Sequence, residues 1–307
     1  MNNRPLISFV IPFFNTNEKQ FGVCLQSLVN QSVPKQFYEI IIIDDGSDFF
    51  PFALLKQYNS NNIFYKKIPH SGLSDARNAA YNMIRGDYVR FIDSDDYICK
   101  NAVDIVLPIL KTGEYDCIKT GYQCVNPHNH TNPSIKINLS FKNYSGIKYL
   151  SCKNLNAGVW QYYFKKSSLI CFKNNIFHED ELFTPLVLQN IKNIAVTNLI
   201  DYFYVRNQGS ITTSTDTYIV SKRFDDLFNI ICELESSSPV FQRRVHQLSM
   251  DFVYLICKSN VSTGYLSKLI SAGFFPLKIK FYTLKYFIFS IFVRNILALK
   301  LLTFLLK

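Results

Sequence analysis

Four short apolar runs, separated from one another by helical patterns, constrain the fold of this chain more than any other feature. The runs lie at 6–11, 39–43, 63–68 and 87–92. Strands that read as nearly continuous apolar segments are typical of a parallel sheet covered by helices on both faces. The pattern therefore predicts an open, doubly wound, mostly parallel α/β fold, in which the helix before the fourth strand begins with Ser74 as its N-cap.

A cluster of polar residues follows each of these runs. The clusters read Pro12-Phe13-Phe14-Asn15, Asp44-Asp45-Gly46-Ser47-Asp48, His70-Ser71-Gly72 and Asp93-Ser94-Asp95-Asp96. Because the carboxyl ends of parallel strands meet at one edge of the sheet, these loops should lie side by side, where such sheets bind ligands. Unrelated polar turns would be distributed over both edges. The sequence therefore predicts a ligand site at this edge.

The fourth loop concentrates three carboxylates, those of Asp93, Asp95 and Asp96, within four positions. The nearest cation is Arg90, which the alternation of the strand places inside the sheet. Crowded like charges cost free energy unless water or a cation offsets them. A hard divalent ion, Mn²⁺ or Mg²⁺, shared with a phosphate would do so. A solvated acidic turn is the alternative for such a short motif taken alone.

The positive charge of the chain is concentrated near its C-terminus. The formal net charge is +10, and the eight basic residues beyond Asp251, the last acidic residue, account for eight of these charges. A nearly neutral body argues against a nucleic-acid-binding groove. The eight cysteines form no C-x-x-C motif, and no apolar leader follows Met1. Both features lead us to expect reduced thiols and a cytoplasmic location.

The segment 275–307 interleaves basic residues with bulky apolar ones, and its longest uncharged run is 286–293. That run is shorter than the ~20 residues needed to span a bilayer. The composition predicts a helix lying in an anionic membrane surface. The alternative is a helix pair packed on the body or on a partner in a homo-oligomer. Residues 216–272 predict two or three helices, and residues 126–146, with His128 and His130, predict a surface loop rather than a metal site.

Six segments in order resemble the motifs of family 2 glycosyltransferases of the GT-A fold, over about residues 5–215. They are 8–15, 43–47, 72–78, 91–96, 177–183 and 202–212. The resemblance implies a bacterial surface-glycan transferase. Its GT-A catalytic domain would occupy 1–215, with a nucleotide-sugar half at 1–99 and an acceptor half at 100–215. A helical region at 216–274 and the membrane-associating tail at 275–307 would follow.

The first four motifs imply a nucleotide-sugar site. Phe14 offers the flat face and Asp45 the acceptor that a uracil ring requires, while Asp44 would order the loop or bind the ribose. Arg77 suits either a diphosphate or the fixing of an aspartate. The predicted nucleotide-sugar-binding residues are Pro12, Phe14, Asn15, Asp44, Asp45, Gly46, Ser47, Arg77, Asp93 and Ser94.

The resemblance further assigns the metal to Asp95 and the catalytic base to Asp180, with Glu179 as the alternative base or an acceptor-binding neighbour. The alternative is a purely structural one. Glu179 and Asp180 would form the acidic first turn of a helix at 180–190, where the helix dipole favours negative charge. The predicted donor or acceptor sugar contacts are Asp96, Trp160 and His178. The alternative for Asp96 is to support the site from behind, and the alternative for Trp160 is to pack in the core. The alternative for His178 is to cap the helix.

The predicted function is metal-dependent, inverting transfer of one sugar from a nucleotide-sugar, expected to be a UDP-sugar. The acceptor would be a lipid-linked or oligosaccharide hydroxyl of a capsule or O-antigen type of polysaccharide, at the inner face of the cytoplasmic membrane. One alternative is a nucleotidyltransferase, which should carry a Gly-rich loop where this chain has Pro12-Phe13-Phe14-Asn15. Another is a catalytically inactive nucleotide-sugar-binding or membrane scaffold protein.

Overall fold

A computed structural model describes residues 4–58, 60–126, 133–207, 216–258 and 264–293. The chain divides into two compact units. The sheet unit comprises Met1–Gly146, Gly158–Asn175 and Asn190–Gln208, and the helical unit comprises Ile147–Ala157, Ile176–Gln189 and Gly209–Lys307. These units differ from the predicted domains, because the helical unit includes two segments that precede residue 215. The functional division expected at residue 215 stays a prediction.

The sheet unit is built on one mixed sheet. Its described strands are β1 (Ile7–Phe13), β2 (Tyr38–Asp45), β3 (Ile63–Ile68), β4 (Tyr88–Phe91), β5 (Tyr97–Ile98), β6 (Cys117–Val125), β7 (Phe141–Tyr144), β8 (Tyr162–Lys165) and β9 (Ile194–Val205). The order is β3-β2-β1-β4-β8-β6-β9-β5, with β7 also paired to β9. The first four strands are parallel, as predicted. The later strands add antiparallel pairs around the parallel pair of β6 and β9.

Four helices belong entirely to the sheet unit: α1 (Glu18–Val29), α2 (Phe52–Tyr58), α3 (Leu73–Ala79) and α4 (Ala102–Thr112). The Asn17 side chain caps α1 by accepting from the backbone N–H of Lys19 at 3.0 Å. The predicted N-cap of α3 is wrong, because Gly72 occupies that position with a φ of 99°. Ser74 lies inside the helix, and its buried Oγ has no hydrogen-bond partner within the described ranges.

The sheet core follows directly from the apolar runs. Every residue of β1 and β2 is buried, and full burial of one Ile or Phe side chain contributes roughly 1.5–3 kcal/mol. Arg90 of β4 is also completely buried. Its guanidinium binds the buried Asp201 carboxylate of β9 through two bonds of 2.6 and 2.8 Å. This bidentate pair joins two strands that are not neighbours in the sheet.

The helical unit contains α6 (Glu179–Leu188), α7 (Thr217–Ser237), α8 (Gln242–Lys258), α9 (Gly264–Ser271) and α10 (Leu284–Phe292), and most of α5 (Gly146–Cys152). The three helices within 216–272 confirm the predicted number. Phe224 of α7 meets Phe252 of α8 edge to face, with ring centroids 5.2 Å apart. Within the described ranges, no helix is both long and apolar enough to cross a membrane.

The predicted surface loop at 126–146 is wrong in part. Its end forms β7, which pairs with β9 through four residues. A period-2 alternation of Ile135, Ile137, Leu139 and Phe141 leads into this strand. The polar composition of the segment as a whole outweighed it in the prediction. His128 and His130 lie outside the described residues, as do residues 294–307 of the predicted membrane-associating tail.

Candidate active site

The loops after β1 and β2 are bonded to each other. The Asn15 backbone N–H donates to Ser47 Oγ at 3.0 Å. The Asn15 side chain exchanges two further hydrogen bonds with Asp48. Buried Asp44 accepts from the Ser47 N–H at 2.8 Å and from the Tyr65 hydroxyl at 2.7 Å. Asp44 therefore orders this loop, which is one of the two roles expected for it.

The loop after β3 is held by Asp45. Its carboxylate accepts from the backbone N–H groups of Ser71 and Gly72 at 2.8 and 2.9 Å, and His70 Nδ1 lies 2.9 Å from Oδ2. Gly46 permits this approach, because a Cβ there would lie 2.6 Å from the His70 backbone nitrogen. The role of Asp45 in fixing this loop is clear, and its predicted contact with uracil stays a prediction.

A flat aromatic surface spans the first and third loops. The rings of Phe14 and His70 stack at 4.2 Å with an interplanar angle of 17°. Phe14 is 47% exposed, so the outer part of the pair is available to a planar ligand such as a nucleobase. Pro12 is buried within β1, where it pairs with Ile43.

The fourth loop is tied to α3 and to the first loop. Buried Arg77 donates from Nη2 to Asp93 Oδ1 at 3.1 Å, and its guanidinium lies 5.2 Å from the centre of the Phe172 ring. Of its two expected roles, Arg77 thus performs the fixing of an aspartate. The hydroxyls of Ser94 and Thr16 are 2.5 Å apart, which anchors the loop on its other side.

Asp95 and Asp96 occupy different environments in this loop. Half-buried Asp95 accepts from Asn207 Nδ2 at 2.6 Å. Asp96, a predicted sugar contact, is 1% exposed and accepts from the Tyr202 hydroxyl at 2.6 Å and the Val205 N–H at 2.7 Å. It therefore supports the loop from behind, against β9, and its predicted contact with the donor sugar stays a prediction.

The electrostatics of this loop favour a cation. Burial, and then the charge of Asp93, raises the pKa of Asp95 from 3.8 to about 6. Burial, and then the charges of Asp95 and Asp93, raise the pKa of Asp96 well above its ordinary value. Among the described residues, no group of three or more His, Cys, Asp or Glu side chains could hold a metal. One or two carboxylates completed by substrate phosphates are nonetheless how proteins commonly bind Mg²⁺, and Asp95 fits that arrangement.

Trp160, expected to contact a sugar or to pack in the core, is half-buried. Its ring stacks on Tyr202 at 4.5 Å with an interplanar angle of 13° and meets Tyr122 edge-on at 4.7 Å. Tyr202 also accepts from the Asp93 backbone N–H at 3.3 Å. The core-packing role is thereby confirmed for one face of Trp160, and the sugar contact stays a prediction.

The helical unit carries the remaining predicted residues. Glu179 is buried and Asp180 half-buried in the first turn of α6, where the helix N-terminus favours negative charge. His178 occupies the N-cap position with a φ of 60°, but its side chain makes no capping bond. Burial lowers its pKa, and its Nε2 has no hydrogen-bond partner in the described part of the chain. The assignment of Asp180 as base stays a prediction.

The chain matches a known protein family over a segment that contains all four loops. The family model described as glycosyl transferase family 2 matches residues 8–173, more than half of the chain. The chain belongs to this family.

Curated relatives within glycosyl transferase family 2 include a poly(ribitol-phosphate) beta-glucosyltransferase of Bacillus spizizenii. It is 32% identical over 65% of this chain and 32% of its own length. TarP, a poly(ribitol-phosphate) beta-N-acetylglucosaminyltransferase of Staphylococcus aureus, is 28% identical over 79% of this chain and 76% of its own. The chain spans 32% of the length of that glucosyltransferase, and 52% and 63% of the length of two further curated relatives.

A solved structure of residues 1–349 of TarS from S. aureus, in complex with UDP-GlcNAc, superimposes with a TM-score of 0.63. The match covers 98% of this chain and 83% of that one at 20% sequence identity. At this identity the likeness concerns the fold, which is the GT-A fold predicted from the motifs, followed by a helical C-terminal region.

Two residues beside Asp95 were not predicted from the sequence. Asn207 binds Asp95, and Gln20 Nε2 donates to Asn207 Oδ1 at 2.6 Å, which fixes the orientation of that amide. Asn207 directly follows the Tyr202-x-Tyr204-x-Arg206 motif. The position of that motif was therefore the signal that could have indicated Asn207. Nothing in the sequence indicated Gln20, which lies on α1 and is 187 residues away from its partner.

Proposed function

We propose that this chain catalyses inverting transfer of one sugar from a UDP-sugar to a hydroxyl group of an acceptor. The observation that carries the proposal is the state of Asp95, which Asn207 holds at the rim of four interlocked loops and whose pKa is raised to about 6. A carboxylate kept at such electrostatic cost is expected where a cation and a diphosphate bind. Family membership and the names of the relatives support the same chemistry.

The donor would lie across the four loops of the sheet unit. The nucleobase would stack on the exposed side of Phe14, and Asp45 would keep the third loop in place against it. Asp95, with Asp93 beside it, would hold a divalent metal. When bound, Mn²⁺ or Mg²⁺ would stabilise the charge that develops on the leaving diphosphate. Arg77 would keep Asp93 in position through their ion pair.

The acceptor hydroxyl needs a base on the face of the sugar opposite the leaving group. We assign this role to Asp180, with Glu179 as the alternative. Direct displacement inverts the anomeric carbon, so an α-linked donor yields a β-linked product. Two relatives are named as beta-transferases, which supports an inverting reaction.

The acceptor belongs, in this proposal, to a cell-surface polymer assembled at the inner face of the cytoplasmic membrane. The relatives are named for poly(ribitol phosphate). Their names favour a polyol-phosphate chain over the capsule or O-antigen sugars expected from sequence. A panel of UDP-sugars with poly(ribitol phosphate) and with oligosaccharide acceptors, read by product mass, distinguishes these acceptors and also detects an inactive protein.

The metal assignment is tested by Asp95→Ala. We expect Mn²⁺-dependent turnover to fall by at least about 10²-fold, because charge stabilisation at the leaving group is lost. Asp87→Ala, at an exposed position before β4, is the matched control and should turn over normally. Full activity of Asp95→Ala in the presence of a chelator would exclude a metal role for this residue.

The assignment of the base is tested by Asp180→Asn. UDP binding should persist, whereas turnover should fall by about 10²–10⁴-fold, the usual contribution of a general base. Glu179→Gln should reduce turnover less. If Asp180→Asn keeps its turnover and Glu179→Gln loses it, the two roles are exchanged.

A further inference from the structure

Helix α10 is fixed to the helical unit by one side. Tyr286, Ser290 and Val293 are at most 1% exposed, and their spacing of three to four residues places them on the same side of the helix. The Tyr286 hydroxyl donates to the Lys278 carbonyl at 3.0 Å. The Tyr286 ring also packs on Tyr282, with centroids 5.1 Å apart. The orientation of α10 is therefore determined by packing.

The opposite side of α10 is apolar and exposed to solvent. Leu284, Ile288, Ile291 and Phe292 are 63%, 57%, 48% and 41% exposed, and Phe281 just before the helix is 72% exposed. At about 100° per residue, the four helical positions fall within an arc of about 100°. We call these five residues the α10 face. Large exposed apolar side chains gathered on one side of a helix indicate an interaction site.

Three exposed lysines, Lys278, Lys280 and Lys285, lie close to the α10 face in the sequence. They form no ion pair with the described residues, although the Lys285 ammonium lies 5.8 Å from the centre of the Tyr254 ring. By contrast, Lys268 pairs with Asp225 at 2.7 Å. No acidic residue occurs after position 251. A second copy of this chain docked face to face would bring these lysines against one another, which disfavours self-association. Large apolar side chains bordered by lysines match the surface of an anionic bilayer.

We propose that the α10 face inserts into the interfacial layer of an anionic membrane while the three lysines bind its lipid headgroups. The inference deepens the membrane-side location proposed above. It specifies which side of which helix contacts lipid. Since its test measures lipid binding without a transferase assay, it can fail independently of the proposed reaction.

The test is flotation of the full chain with phosphatidylcholine–phosphatidylglycerol vesicles and with pure phosphatidylcholine vesicles. We expect binding to the anionic vesicles that weakens as salt is added. Ile288→Asp should reduce the partition coefficient by at least about tenfold, because it places a charge in the buried layer. Ile147→Asp on α5 changes an isoleucine of matched exposure, 58%, and should bind like the wild type.

The charge contribution is tested separately. Each of Lys278→Gln, Lys280→Gln and Lys285→Gln should weaken anionic-vesicle binding by about fivefold, while Lys56→Gln on α2 should not. Wild-type binding by Ile288→Asp would overturn the proposal. So would a wild-type dimer, seen by analytical ultracentrifugation, that Ile288→Asp dissociates without loss of vesicle binding. Unchanged thermal unfolding of Ile288→Asp verifies that the exposed substitution leaves the fold intact.

Discussion

Replacing Asp95 with asparagine should stabilise the metal-free protein at neutral pH, although the same change should abolish metal-dependent activity. Burial and the charge of Asp93 raise the pKa of Asp95 from 3.8 to about 6. One pKa unit corresponds to about 1.4 kcal/mol, so the ionised side chain costs the folded state about 3 kcal/mol. Asp95 is only half-buried and the introduced amide must rearrange against Asn207. We therefore expect a net gain of about 1–3 kcal/mol.

The sign of the effect depends on pH in a defined way. Below the ordinary pKa of 3.8 the carboxyl is protonated in both states, and Asp95 costs nothing. As pH rises from there to about 6, the unfolded chain ionises first, and the wild-type protein loses stability relative to the variant. Above about 6 the difference is constant. The advantage of Asp95→Asn should therefore develop between these two values.

Urea denaturation in the presence of a chelator, at about pH 4 and about pH 7.5, measures this difference. Asp87→Asn, an exposed substitution of the same type, should change stability little at either pH. Added Mn²⁺ should then raise the unfolding temperature of the wild type and leave that of Asp95→Asn unchanged. Equal stability of wild type and Asp95→Asn at pH near 7.5, or a difference that does not vary with pH, would refute the reasoning.

Three further outcomes can be measured. Arg90→Met should destabilise the protein by about 3–5 kcal/mol in urea denaturation, because it leaves the partner carboxylate buried without its cation. Gly46→Ala should cost at least about 2 kcal/mol, since its Cβ would meet the backbone of His70 at 2.6 Å, whereas Gly113→Ala, at a φ of 68° with nothing within 4 Å, should cost about 1 kcal/mol. Asn207→Leu removes a hydrogen bond that lowers the pKa of Asp95, the proposed metal ligand, so the pH midpoint of Mn²⁺-induced thermal stabilisation should move upward.

The parts of the fold that sequence predicted are those encoded by local pattern. The apolar runs predicted β1, β2 and β4 because burial on both faces leaves little room for polar positions. The third run predicted β3, which lies at the edge of the sheet and keeps Lys66 and Lys67 exposed. The polar residues after each run, including Asp45 and Asp95, were correctly expected at the edge of the sheet where the strands end. Alternation likewise placed Arg90 inside the sheet, where it is completely buried.

The parts that sequence missed depend on pairing between distant segments. Asp201 lies 111 residues from Arg90. No local sequence pattern indicates that these two buried residues form an ion pair. Asn207 and Gln20 form their hydrogen bond across a still larger separation of 187 residues. The cap of α3 was assigned to Ser74 because Ser favours N-caps. Asp45 instead holds the backbone of the preceding loop, which moves the helix start to Leu73.

The position of Tyr202 has a consequence for the order in which ligands bind. Its ring stacks on Trp160, while its hydroxyl bonds to Asp96 and to the backbone of Asp93. A sugar pressing on the indole would therefore bias the geometry of the acidic loop, and a cation in that loop would bias the indole in return. Such reciprocity is required of any two linked equilibria. In the proposed reaction, binding of donor and metal to the acidic loop should therefore increase the affinity of Trp160 for an acceptor sugar. The acceptor should then bind best after the donor and the metal.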